Sequence, residues 1–151
     1  MNMKKLLALG LFLVVALSSM AIISAESASE EVTFDGIKFK IPQGYKMVEH
    51  DTNKSGDIHD IEYIVVDAKS SYKYENAAGD ELEIEVGKLG SEEVDVIHPE
   101  HAEGKKIAGK DGFIIKDKDD GKDKYKFIYI QGNNVVKVAG VSEDIIGQVL
   151  V

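Results

Sequence analysis

The sequence contains no cysteine and no arginine among its 151 residues. Without cysteine, the chain has no disulfide bond, no thiol nucleophile and no thiol to carry a lipid anchor. Without arginine, it lacks the planar guanidinium that binds phosphate and carboxylate groups in a bidentate manner. There is also no glycine-rich phosphate loop and no G-x-S-x-G motif. These absences predict that the protein is not an enzyme, with a secreted hydrolase of unrecognised site as an alternative.

Positive charge is also scarce, because 27 acidic residues face 18 lysines. Removal of residues 1–25 would take away two lysines and no acids, so the remaining chain would carry 16 − 27 = −11 charges. Nucleic acids and anionic membrane surfaces both require a basic footprint. The charge therefore argues against both as partners and does not by itself identify another.

The first 25 residues are typical of a targeting segment. Lys4 and Lys5 precede an apolar run over residues 6–17, and small residues follow as far as Ala25. This order predicts a signal peptide and hence an exported, extracellular or cell-surface protein. The alternative is a membrane anchor, because residues 6–25 form 20 uncharged positions, enough to span a bilayer.

Residues 26–31 are interpreted as a polar linker, and residues 32–151 as a single domain without cofactors. Turn-forming residues recur about every eight to twelve positions between short alternating stretches. Asp35-Gly36 predicts a tight hairpin, and Ser142 is a suitable N-cap for a C-terminal helix. The pattern predicts an α+β fold, in which an antiparallel sheet of about six to seven strands carries the short helix on one face.

The sequence also predicts which way the glutamates of one strand and the tyrosines of several strands face. Alternation over residues 81–86 places three apolar side chains toward the core and Glu81, Glu83 and Glu85 on a solvated face. Aromatic residues favour sheets, so the tyrosines of the strands are expected to pack against the sheet rather than to form a sugar-binding platform. Those tyrosines are Tyr72, Tyr74, Tyr125 and Tyr129.

The segment DTNKSGDIHDIE, residues 51–62, is the strongest candidate for a binding site. It resembles an EF-hand calcium loop, with glycine at the sixth position and oxygen-bearing residues where a calcium ion takes its ligands. Those candidate calcium ligands are Asp51, Asn53, Ser55, Asp57 and Glu62.

The flanks of this loop argue for a different scaffold. An EF-hand places its loop between two helices, but Pro42 and Gly44 interrupt the preceding segment and β-branched residues follow. The alternative is an acidic loop between strands, formed by ordinary turn residues. Asn53 also begins an N-x-S glycosylation sequon, and a glycan there would compete with its use as a calcium ligand.

His98 and His101 form a second candidate metal site. Their spacing of three would place both imidazoles on one face of a helix, where zinc could bind them. The alternative is two exposed loop histidines, because no third ligand is fixed by the sequence.

Three stretches together resemble a group of small exported proteins of methanogenic archaea that have no assigned function. They are IKFKIPQGYK near the start, GKKIAGKDGFI in the middle and KFIYIQGNNVVKVAGVSEDIIGQVL at the end. The resemblance implies an extracellular α+β domain and transfers no catalytic residue. The expected function is therefore non-catalytic binding or interaction at the cell surface, with calcium-dependent binding through residues 51–62 as an alternative.

Overall fold

The computed structural model describes residues 29–53, 59–62, 64–90 and 102–151. The predicted leader and the candidate ligands Ser55, Asp57, His98 and His101 lie outside this part of the chain. Their interpretation stays a prediction. Within the described ranges, no helix is both long and apolar enough to span a membrane.

The described residues form ten strands and one C-terminal helix. In chain order the strands are β1 Glu30–Phe34, β2 Ile37–Ile41, β3 Lys46–Asn53, β4 His59–Ile61, β5 Ile64–Glu75, β6 Glu81–Leu89, β7 Ala102–Ile107, β8 Lys110–Asp119, β9 Lys122–Gln131 and β10 Asn134–Gly140. The helix, here α1, spans Glu143–Val149.

Most strands belong to one antiparallel sheet with the order β3-β5-β6-β10-β9-β8-β7. β4 pairs with β5 beside this path, and β1 and β2 form a separate two-stranded sheet. The predicted α+β class and its C-terminal helix are confirmed. The sequence estimate of six to seven strands matches the seven-strand path, while the hairpin β1–β2 and the three-residue β4 add to it.

Two-residue turns explain why neighbouring strands pair so regularly. Asp35 and Gly36 join β1 to β2 with φ angles of 51° and 81°. Asp120 and Gly121 join β8 to β9 with φ angles of 49° and 77°. Positive φ at both central residues defines the type I′ turn, whose twist matches that of the flanking strands. The predicted hairpin at Asp35-Gly36 is therefore confirmed.

One face of the large sheet, here called the front face, carries the main apolar core. The hairpin β1–β2 and helix α1 pack on it, and Phe39, Phe127 and Ile146 are fully buried between these layers. Ser142 caps the helix, because its side-chain oxygen accepts a hydrogen bond from the Ile145 amide at 3.2 Å. The predicted N-cap is confirmed.

The four tyrosines belong to this core. Tyr72, Tyr74 and Tyr129 are buried, and Tyr125 packs against the same cluster. Burial raises the pKa of Tyr129 to about 12. For Tyr74, burial and then the nearby Glu30 carboxylate raise the pKa, also to about 12. Their interpretation as sheet-packing residues is confirmed.

Candidate functional site

The opposite face of the sheet, here called the back face, contains a buried lysine. Val136 and Val138 of β10 face the front core, so alternation directs the side chain of Lys137 between them to the back face. Only 10% of this side chain is exposed. A buried ammonium is costly unless charged partners surround it.

Three carboxylates supply those partners. The Lys137 Nζ atom lies 3.1 Å from Glu85 Oε2, 3.3 Å from Glu83 Oε1 and 3.2 Å from Glu62 Oε1. Glu85 is the direct cross-strand neighbour of Lys137, because β10 pairs with β6 at this position. Glu62 reaches the same ammonium from the turn between β4 and β5.

The geometry corrects one sequence prediction. Glu81, Glu83 and Glu85 were expected to share a solvated face, but only Glu81 is exposed, whereas Glu85 retains 8% of its exposure. Alternation correctly places these residues opposite the apolar side chains of β6. It does not reveal that Lys137 stands on the adjacent strand and that the β4–β5 turn lies over this face.

Two further lysines complete the group. Lys126 of β9 lies 3.3 Å from Glu62 Oε1, and Lys69 of β5 lies 3.9 Å from Glu85 Oε1. Ser71 donates a hydrogen bond from Oγ to Glu85 Oε1 at 3.3 Å. The ion cluster is thus defined by Glu62, Glu83, Glu85, Lys69, Lys126 and Lys137. Three positive and three negative charges balance within it.

The surroundings keep the central groups charged. Burial is the largest influence on Lys137 and by itself lowers the pKa, but the three carboxylates together outweigh it and raise the pKa above its usual value. Burial likewise favours the neutral form of Glu83, yet Lys137 outweighs it and lowers the pKa of that carboxyl. The pKa shift therefore favours the charged ammonium of Lys137 over the neutral amine that a nucleophile requires.

The chemistry available to this cluster is electrostatic. A general base has to accept a proton and a general acid has to release one near neutral pH. The opposed pKa shifts of Lys137 and Glu83 move both groups away from such a role. The arrangement is suited to joining β5, β6, β9, β10 and the β4–β5 turn into one unit.

Glu62 links this cluster to the calcium-like segment. Asp51 and Asn53 lie on β3, and Glu62 follows β4, so strands flank the segment on both sides. Glu62 itself is a turn residue with φ of 55°. Its carboxylate contacts Lys126 and Lys137. Calcium binding through this segment stays a prediction, and it requires Glu62 to leave both lysines.

β3 and β4 are two pieces of one sheet border. Asn53 pairs with Lys69 of β5, and His59 pairs with Val66 of the same strand. Among the described residues, no three histidine, aspartate or glutamate side chains are placed to hold a metal ion.

His50 of β3 has an aromatic partner. The ring of His50 stacks on Tyr72 with a centroid distance of 4.5 Å, and Phe34 stacks on Tyr72 at 3.6 Å. His50 also lies 3.2 Å from the Thr52 hydroxyl. These contacts attach β3 and the β1–β2 hairpin to β5.

Comparison with known proteins adds no family assignment, because no family model, no curated protein and no solved structure matches this chain.

An acidic cleft of about 180 Å³ opens beside the ion cluster at one end of the sheet. Its charged lining residues are Asp80, Glu81, Glu83, Asp119, Asp120, Asp123, Lys122 and Lys124. Glu83 is already paired with Lys137, which leaves five carboxylates against two lysines. The cleft therefore carries an excess of three negative charges.

Proposed function

We propose that this protein is an exported, non-catalytic domain that binds basic segments of other molecules at the cell surface. The observation that carries the proposal is the distribution of charge. The buried ion cluster is internally balanced, whereas the adjacent acidic cleft has an excess of three carboxylates. An unbalanced acidic surface attracts cationic partners and repels anionic ones.

The ion cluster supports the non-catalytic part of this proposal. Lys137 and Glu83 are held in their charged forms by one another and by neighbouring groups. Catalytic acids and bases instead have pKa values tuned toward the working pH. A cluster of matched charges fits a rigid scaffold for a binding surface.

The composition supports the cationic nature of the partner. The whole sequence carries a formal charge of −9, and the charge without residues 1–25 is −11. The carboxylates of the cleft belong to three separate parts of the chain, namely the turn before β6, the β8–β9 hairpin and β6 itself. Spread-out carboxylates suit several lysine or arginine side chains on one peptide segment.

Titration of the protein with a lysine-rich peptide tests this proposal. The peptide should bind at low ionic strength and more weakly at physiological ionic strength, because exposed charges are screened by salt. Asp119→Asn with Asp123→Asn should weaken binding by about tenfold, since two of the cleft's charges disappear. The matched control is Glu30→Gln with Glu103→Gln, which removes two exposed charges elsewhere.

The control variant loses the same net charge but keeps the cleft intact. Its affinity for the peptide should therefore stay within about twofold of that of the native protein. Equal weakening in both variants would show that net charge alone, rather than the cleft, attracts the peptide. Absence of binding by the native protein would exclude the proposed function. A peptide of glutamates, which should not bind, checks that the interaction depends on the sign of charge.

A further inference from the structure

The β4–β5 hairpin lies on the back face, and within the described ranges its residues have few main-chain pairings with strands other than each other. We call residues 59–62 together with residues 64–66 the flap. Within the flap, β4 pairs with β5 at His59↔Val66, Asp60↔Val65 and Ile61↔Ile64. Among the described residues, the pairing of β5 with β6 begins only at Val66↔Leu89. Side-chain contacts, rather than main-chain hydrogen bonds to β6, therefore determine whether the flap stays on the sheet.

The underside of the flap is apolar. Ile61, Ile64 and Val66 form a second hydrophobic cluster with Ile128 of β9 and Val135 of β10. Ile61 and Val135 have no exposed surface. This cluster is separate from the front-face core, and the flap contributes three of its five buried residues.

Gly87 makes this contact possible. A Cβ atom at this position would lie 2.7 Å from Ile61 Cδ1 and 2.8 Å from Val66 Cγ1. Real side chains do not approach so closely, so the flap rests directly on the backbone of β6. The register of β5 also shifts between Val66 and Ala68, which gives the flap a natural point of bending.

Glu62 has one unfavourable and one favourable effect on the closed position of the flap. Its φ of 55° lies in the left-handed region, which is unfavourable for a residue with a side chain. Its carboxylate nevertheless lies 3.2 Å from Lys137 and 3.3 Å from Lys126. Only 17% of the Glu62 side chain is exposed, so water screens these contacts weakly.

We propose that Glu62 is an ionic latch that keeps the flap closed, and that loss of its charge opens the flap while the rest of the sheet stays folded. Without the carboxylate, the ion pairs with Lys126 and Lys137 no longer offset the unfavourable backbone conformation at position 62, so opening is favoured. A detached β4–β5 hairpin has only three residue pairs, and so small a hairpin is marginal in water. Opening exposes the second hydrophobic cluster beside Lys126 and Lys137. The proposal does not depend on the proposed function, because its test measures conformation alone.

The absence of cysteine provides a direct test in the full chain. A single cysteine introduced as Val135→Cys lies beneath the flap, and Val138→Cys lies in the front-face core; both native side chains are fully buried. The rate of reaction with a thiol reagent then reports opening of each face separately. Glu62→Gln removes the charge while retaining the shape of the side chain.

In the Glu62→Gln background, Val135→Cys should react about tenfold faster or more, because a charge-assisted contact has been lost. Val138→Cys should react at its original rate. Glu49→Gln is the matched control, since it removes an exposed carboxylate that lies 3.9 Å from Lys73. Neither cysteine should become more reactive in that control.

Equal acceleration at both cysteines would show general loss of stability and overturn the latch, as would no acceleration at Val135→Cys. Gly87→Ala provides an independent route to the same state. The added methyl group displaces Ile61 and Val66 without touching a charge, so it should also accelerate labelling of Val135→Cys selectively. Unchanged labelling there would refute the inferred flap contact.

Discussion

Replacement of Lys137 by methionine should destabilise the protein more than any other single loss of a lysine in the ion cluster. Methionine preserves most of the apolar stem but removes the ammonium that lies 3.1 to 3.3 Å from three carboxylates. Breaking a buried ion pair by removing one partner costs about 3 to 5 kcal/mol. For a domain of this size, we expect the melting temperature to fall by roughly 10 to 20 °C at neutral pH.

The cost should depend on pH with a defined sign. In the native protein the pKa of Glu83 lies below its ordinary value of 4.5, so its stabilising effect is present above that value and lost as the pH falls through the folded-state pKa. In Lys137→Met the main opposing influence is gone, and burial raises the pKa of Glu83 instead. Protonation of Glu83 at low pH then relieves repulsion among the carboxylates in the variant, whereas in the native protein it weakens the ion cluster. The stability difference should therefore shrink between pH 7 and about pH 4.

Denaturant unfolding of native and variant protein at both pH values measures this difference. Lys88→Met is the control, because Lys88 is an exposed residue of β6 that has no ion pair with another described residue; it should change stability by less than about 0.5 kcal/mol. The double variant Lys137→Met with Glu85→Met should recover part of the loss, since one unpaired carboxylate is removed. A cost below about 1 kcal/mol, or one that does not change with pH, would refute the assignment of Lys137 as the centre of the cluster.

Three other perturbations have defined outcomes. Gly112→Ala should cost about 1 to 3 kcal/mol, because its Cβ atom would lie 2.3 Å from a carbonyl oxygen of β9, whereas Gly104→Ala on β7 has open space and should be nearly neutral in denaturant unfolding. Ser142→Ala should cost about 1 kcal/mol through loss of the helix cap, and Ser142→Asp should restore it. If residues 51–62 bind calcium, millimolar calcium should raise the melting temperature of Lys126→Gln more than that of the native protein, because Glu62 is then held by one lysine fewer. No rise in either protein would exclude the calcium site.

The sequence predicted the features that depend on neighbouring residues. Asp35-Gly36 supplies the positive φ angles of a type I′ turn, so its hairpin follows from two residues. Ser142 followed by acids is similarly sufficient to locate the start of α1. The same local rules separated the apolar and polar faces of β6 correctly.

The ion cluster was missed because its members meet only through the order of strands. Lys137 and Glu62 are 75 positions apart in the chain. One neighbour of β10 in the sheet is β9, which precedes it directly in sequence, but the other is β6, which is distant in sequence. One signal was available: Lys137 is a lone charge within the apolar stretch VVKVAG. A lysine in such a stretch requires buried partners, although the sequence does not identify them.

The ion cluster has a stronger physical rationale in specifying register than in adding stability. Well-packed apolar residues often replace a buried ion cluster without loss of stability. A shift of β10 by one residue, however, would turn Lys137 into the front-face core beside Phe127 and direct Val136 or Val138 toward the carboxylates of β6. Both consequences are unfavourable, because the ammonium would lose its partners and the carboxylates would face apolar side chains. Since β10 lies between β6 and β9, correct placement of this one strand also determines where Lys126 meets Glu62. The cluster thus couples the pairing of the sheet to closure of the β4–β5 turn.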